Sequence, residues 1–234
     1  MMHENVMSVH PLGLRWARRL GLLLVAGLIP ACYSSSGKTY TAPMAPGGAG
    51  VLVSDNFFPY PSSNWAGATG SGATASEFFA SPAYYLRMQE TARPGTVSDY
   101  THLSFTSEAL TFQIDFRSSA TSALVDQATI QITDGGTPPT TVLAQAVYDA
   151  SAGTLTCSVG ATTFTAVVYG AGAFQTVLFT IDTGFTGTWK VGATTVGSAA
   201  FGMHTTRLKL GATFASGSGA APIFDFANLV ISNP

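Results

Sequence analysis

The residues with most chemical potential in this chain sit in alternating runs. Gln113, Asp115 and Arg117 alternate with Phe112, Ile114 and Phe116 in residues 108–117 (EALTFQIDFR). Gln127 and Gln131 share a face of the next run, and Arg207 and Lys209 alternate with Leu208 and Leu210 in a late one. Successive side chains of a strand point to opposite faces, so each set occupies one face. If these strands neighbour one another, their amides, carboxylate, guanidinium groups and ammonium form one polar surface. Such a surface suits a sugar, which needs planar polar partners for its hydroxyls and an aromatic platform for its ring face. Trp65, Tyr100 and Trp189 are the candidate platforms. The competing reading is the solvent face of a sandwich, with the aromatic rings in the core.

Covalent and metal chemistry find less support. Cys157 lies in TLTCSV, in phase with Leu155 and Val159 and without a histidine nearby, which reads as a buried inert thiol. His102 and His204 stand on separate segments, and no Gly-x-Ser-x-Gly elbow occurs. Two distant histidines and one thiol make a poor zinc set. Beyond the first 31 residues the glutamates are Glu77, Glu90 and Glu108, no two on one expected strand. Asp115 is the lone acid on its polar face, either a ligand contact or a solvated partner of Arg117.

Composition narrows the function classes. Charged residues make up 9% of the 234, against roughly 25% in an ordinary soluble domain. Ten Lys and Arg against twelve Asp and Glu give a net charge of -2, without the basic cluster that phosphate contacts need. With 46% hydrophobic residues, disorder is not expected either.

The N-terminal segment points to export. Arg15, Arg18 and Arg19 precede residues 20–29 (LGLLLVAGLI), an apolar run of ten. That is short of the about 20 needed to span a bilayer and suits the core of a signal peptide. The run ends in Leu28-Ile29-Pro30-Ala31-Cys32, which resembles the lipobox of bacterial lipoproteins, with Pro30 an uncommon residue inside it. The resemblance implies a signal peptide over 1–31 and acylation of Cys32, with the membrane as partner through the lipid. The alternative is an ordinary secretory signal that happens to end near a cysteine. Tyr33 in place of the aspartate that retains such proteins at the inner membrane implies an outer-membrane lipoprotein of the cell envelope. Removing residues 1–31 takes away three Arg and Glu4, leaving seven basic and eleven acidic groups, so the anchoring contact is expected to be lipid rather than charge. Cys157 would then have no disulfide partner. Residues 32–50 are rich in Ser, Gly, Ala and Pro and read as a flexible linker.

Residues 51–234 read as one all-β domain. Runs with strand periodicity fall at 84–89, 108–117, 124–132, 141–148, 154–159, 162–169, 174–182, 188–191, 205–214 and 223–232. Turn residues separate them, as in Asp134-Gly135-Gly136, Gly160-Ala161, Asp182-Thr183-Gly184 and Gly192-Ala193. No helical stripe follows the signal segment. Many short strands imply an antiparallel β-sandwich or barrel.

The order of these pieces resembles the concanavalin A-like jelly rolls, particularly laminin G-like domains of bacterial surface proteins. The domain opens with Ser54-Asp55-Asn56-Phe57-Phe58 and Ser63-Asn64-Trp65, continues through LTFQIDFR and FQTVLFTIDTGFTGTWKV, and closes with FDFANLVI, like the family's last strand returning beside the first. The resemblance implies a sandwich that hosts lectin-like, adhesion or glycosidase functions. Glycosidases of the fold carry Glu-x-Asp-x-x-Glu on one strand, which places two carboxylates about the glycosidic bond; this chain has no such run. No cofactor is implied, except that the family often holds a calcium at a loop edge. Asp134 is the candidate ligand, with Asp55 and Asp225 behind it, and a plain turn role for Asp134 is the alternative. The expected function is a non-catalytic, lectin-like binding or adhesion module with a glycan or protein partner. A structural lipoprotein without ligand, or an enzyme acting on polysaccharide, are the alternatives.

Overall fold

The alternating runs are strands throughout. Residues 50–233 are described by the computed structural model; they form seventeen β-strands and contain no helix. The expected signal peptide, Cys32 and nearly all of the linker lie outside the described residues.

The strands build two antiparallel sheets. The back sheet runs β15 (Thr194–Ala200), β14 (Thr186–Val191), β13 (Gln175–Ile181), β7 (Leu110–Ser118), β17 (Phe224–Asn233), β4 (Ala83–Glu90) and β3 (Ala73–Ala80), with β1 (Gly50–Asp55) also on β17. The front sheet runs β11 (Thr162–Thr163), β10 (Thr154–Val159), β9 (Val142–Asp149), β8 (Gln127–Asp134), β16 (Thr205–Phe214), β5 (Gly95–Tyr100) and β2 (Thr69–Ser71). Two short strands complete it, β12 (Val167–Val168) on β10 and β6 (Phe105–Thr106) on β16. The last strand does return beside the first: Asp55 stands opposite Leu229 and Gly50 opposite Asn233.

The apolar phase of each strand makes the core. The back sheet contributes Phe112, Ile114, Phe116, Phe179, Trp189, Phe224 and Phe226, while the front sheet contributes smaller residues such as Ala128, Ala144, Ala146 and Ala212. Large against small lets two inner faces interdigitate. Phe116 sits at the centre, with the rings of Tyr148, Tyr169 and Phe226 at 5.2–5.4 Å. Cys157 is fully buried, and burial pushes its thiol up to about 12. That suits an inert core residue.

Buried carboxylates fasten the edges. Asp55 accepts hydrogen bonds from the Phe57 amide, Ser62 Oγ, Asn64 Nδ2 and Trp65 Nε1, which fixes the opening segment. Asp126 accepts both terminal nitrogens of Arg93, at 2.8 and 3.0 Å, together with Ser122 Oγ and the Ala215 amide. For this reason the expected strand over 124–132 begins only at Gln127: the three residues before it turn so that Asp126 can face Arg93. The expected run over 162–169 is interrupted and leaves only β11 and β12.

Candidate functional site

The polar stripe expected from the sequence is divided between two sheets. Gln113, Asp115 and Arg117 belong to β7 in the back sheet, whereas Gln127, Gln131, Arg207 and Lys209 belong to β8 and β16 in the front sheet. The premise that these strands are neighbours therefore fails, and one surface from all seven residues does not form.

On the back sheet the polar groups are occupied by each other. Asp225, 1% exposed, takes Arg87 through Nε at 2.8 Å and Nη2 at 3.0 Å, and Arg117 through Nε at 3.0 Å and Nη2 at 2.8 Å. Aromatic rings cover both guanidinium groups, Phe78 over Arg87 and Phe174 with Tyr85 over Arg117. Asp115 does not pair with Arg117; it accepts Thr176 Oγ1 at 2.6 Å and Asn228 Nδ2 at 2.8 Å.

The two tryptophans are core residues. Trp65 is 4% and Trp189 1% exposed, so neither is a platform. The indole of Trp189 instead donates across the sandwich to the Ser158 carbonyl at 2.9 Å. Asp134 acts in its turn, accepting the amides of Thr140 and Thr141 and the Thr140 hydroxyl; these bonds hold its carboxyl below the usual range. Asp55 and Asp225 are equally committed, and among the described residues no three acidic, His or Cys side chains gather as a metal set.

The front sheet offers what the divided stripe does not. Register places Tyr100, Lys209, Gln131, Gln145 and Ser158 in one line across β5, β16, β8, β9 and β10. The next line is Ser98, Gly211, Thr129, Val147 and Thr156, followed by Thr96, Thr213, Gln127 and Asp149. All are the out-of-phase partners of buried residues such as Val97, Ile130, Ala146, Leu210 and Ala212, so they face outward. A groove of about 260 Å³ lies on this face, bordered by Thr69, Thr96, Ser98, Thr129, Gln131 and Lys209. Its size falls just below the roughly 300–1,000 Å³ of small-molecule sites, as suits a shallow groove.

Gly211 keeps the floor low. A Cβ there would come within 2.8 Å of Thr129 Oγ1 and stand in the groove. Gln131 donates to Gln145 Oε1 at 3.2 Å, which orients both amides. At one end Arg207, 8% exposed, ties the loops together: it donates to the carbonyls of Thr101, His102 and Gly135 and to Thr137 Oγ1. Its guanidinium lies 5.7 Å from the Tyr100 ring centre. Arg207 is thus a positioning group for the rim, and Tyr100 is the one candidate platform on the groove's face. Beneath the same strand, Asp99 points inward and accepts the Tyr60 hydroxyl at 2.5 Å and the Tyr100 amide at 2.7 Å. Burial raises the Asp99 carboxyl above the ordinary range.

Sequence reading missed Thr96, Ser98, Thr129 and Gln145. β5 reads GTVSDY, with Val97 its one strongly apolar residue and a buried Asp99 in the second inward position, so its alternation is invisible in hydropathy. Gly211 inside LKLGATF was the available signal, because glycine within a strand often marks close approach.

No family model and no curated protein matches the chain. Among solved structures it is similar to the Bacillus licheniformis β-glucanase, with TM-score 0.58 and 12% identity over 81% of this chain and 100% of that one. It is also similar to the cellulose induced protein Cip1, with TM-score 0.55 and 13% identity over 76% and 96%. The carbohydrate recognition domain of Emp47p gives 0.52 and 12% over 70% and 89%. At such identity the likeness concerns the fold, and the antiparallel jelly-roll sandwich expected from the sequence is the fold of this domain.

Proposed function

We propose that this protein is a non-catalytic glycan-binding module of the bacterial cell envelope, held at the outer membrane by a lipid on Cys32. The observation that carries the reading is the groove on the front sheet, where one amide, several hydroxyls and one ammonium line a shallow site beside Tyr100. Such groups match sugar hydroxyls, while the ring face of a tyrosine suits the apolar face of a pyranose. The fold adds support, since Emp47p is described as having a carbohydrate recognition domain. Against hydrolysis stands the residue set itself. Outward positions of β5, β8 and β16 along the groove hold Thr, Ser, Tyr, Gln, Lys and Gly; the acids beyond it are engaged, Asp149 on β9 by the amides of Ser151 and Ala152 and the Ser151 hydroxyl, and Asp134 at the end of β8 by Thr140 and Thr141. A glycosidase needs two free carboxyl groups about the bond.

The test is a glycan array probed with the full-length protein in detergent, with and without calcium. Binding to at least one glycan class, weakened tenfold or more by Gln131→Ala, is the expected result. No binding to any glycan overturns the reading, and new reducing ends in the incubated polysaccharide overturn its non-catalytic part. For the anchor, labelling with a palmitate analogue is expected on the native protein and absent from Cys32→Ser; label retained by that variant overturns the assignment.

A further inference from the structure

The charges of the domain are distributed unevenly. Residues 50–233 carry six basic and eleven acidic groups, a net charge of -5. Three of the six cations are ion-paired: Arg87 and Arg117 share Asp225, and Arg93 meets Asp126 and Glu90. Of the other three, Lys190 lies on the back sheet, and Arg207 and Lys209 lie side by side along the same face of β16 at the groove.

Neither of these two meets a carboxylate among the described residues. Arg207 is buried, its hydrogen bonds go only to neutral oxygens, and it forms no ion pair with a described carboxylate. Lys209 lines the groove and makes no hydrogen bond or ion pair with any described residue. Its cross-strand neighbours are Tyr100 and Gln131, both neutral. The acid closest in the chain pattern, Asp99, points to the opposite side of β5 and binds Tyr60. A groove whose lining has one cation and no anion, in a domain of net negative charge, is a local reversal of the field. Two like charges two residues apart on one strand face repel each other, and an anion above them relieves that repulsion.

From this juxtaposition we infer that the groove selects acidic glycans, in which Lys209 pairs with a carboxylate or sulfate of the sugar while Gln131, Thr129 and Ser98 take its hydroxyls and Tyr100 its ring face. The inference rests on the glycan-binding reading above and names its substrate class. Lys209 confers the selectivity; Arg207 strengthens the field and holds the rim without touching the ligand.

The experiment uses the full-length protein in detergent and matched pairs of probes: polygalacturonate against its methyl ester, and dextran sulfate against dextran. Each pair keeps the sugar ring and removes the charge. At least one acidic probe is expected to bind ten times more tightly than its neutral partner, with affinity falling as NaCl rises. Lys209→Gln is expected to abolish that preference, as loss of one charge-assisted contact is worth about tenfold or more. Lys190→Gln, the same charge change on the other sheet, is expected to leave the preference intact, and both variants are expected to melt as the native protein does. A preference for polygalacturonate assigns the anion as a carboxylate, and one for dextran sulfate as a sulfate. Equal or tighter binding of neutral sugars overturns the inference and leaves the glycan reading standing. A preference that survives Lys209→Gln, or falls equally in Lys190→Gln, overturns the role of Lys209. Failure to bind any glycan on the array overturns the glycan reading itself.

Discussion

Replacing Asp225 by Asn separates the structural polar face of the sandwich from the binding one. The native carboxylate accepts four guanidinium contacts of 2.8–3.0 Å from Arg87 and Arg117, and its side chain is 1% exposed. In Asp225→Asn those two cations stay in place, an amide NH2 points at their donors, and nothing cancels their repulsion. Removing one member of a buried ion pair is worth about 3–5 kcal/mol. The arginine side chains are 15% and 25% exposed, so water screens part of this and the lower end, about 3 kcal/mol, is the appropriate figure. For a domain of this size each kcal/mol moves the midpoint by about 2–4 °C, so thermal unfolding followed by circular dichroism is expected to fall by about 6–12 °C. The triple change Arg87→Met, Arg117→Met, Asp225→Leu is expected to recover most of the loss, because it removes the charges together. Glycan binding measured below the midpoint is expected to be unchanged, since the network lies on the sheet opposite the groove. A loss below about 1 kcal/mol, or loss of binding by the folded variant, would refute this assignment of roles.

The core and its edges make further expectations. Burial raises the Asp99 carboxyl, so its stabilising contribution is present below the unfolded value of about 3.9 and is lost as pH rises through the folded value. The midpoint of Asp99→Asn relative to the native protein should therefore climb from about pH 4 upward and then level; a difference independent of pH would contradict the burial. Asp126 behaves oppositely: burial alone would raise it, but Arg93, Ser122 and the Ala215 amide outweigh that and lower it. Its contribution is present above the unfolded value and lost as pH falls through the folded one, and Asp126→Asn should flatten the acid limb of a stability profile. Cys157, with its thiol pushed up to about 12, should resist iodoacetamide at pH 8 in the native protein and react at once in denaturant; modification without unfolding would show that the site is open. Trp189→Phe should lower stability by about 2–3 kcal/mol through a cavity and the lost indole bond to the Ser158 carbonyl, measured by denaturant titration, and an effect below about 0.5 kcal/mol would deny the cross-sheet bond.

The fold was legible because it is written in hydropathy. Residues 110–118 alternate without a break, and the structure buries every second one. The turn at Asp182 was readable in the same way, its carboxylate accepting the amides of Gly184 and Thr186. β3 and β15 escaped because ATASEFFA and TTVGSAA lack alternation: both are edge strands of the back sheet, with one side unpaired and little of either face buried. On β15, Gly197 is needed for another reason, since a Cβ there would meet the Phe164 ring at 2.3 Å.

The site was only half legible. Lys209 and Gln131 were visible on their strands, as was Tyr100 as a ring, but pairing them required strand order. Order is a property of the whole sheet, and nothing local in β7 says that β17 and β13, rather than β8, lie beside it. Trp65 and Trp189 misled because a tryptophan's indole N–H needs a partner, which Asp55 and Ser158 supply inside the sandwich as well as any ligand could outside it.

A crystal structure of the full-length protein with an oligosaccharide of the acidic probe it prefers bears on the central claim most directly. The account expects the sugar across the line of Tyr100, Lys209 and Gln131, with its carboxylate or sulfate within hydrogen-bond reach of the Lys209 ammonium and Gly211 beneath a ring. Sugar seated on the back sheet near Asp115 and Arg117, or in the groove with its anionic groups turned away from Lys209, would contradict it.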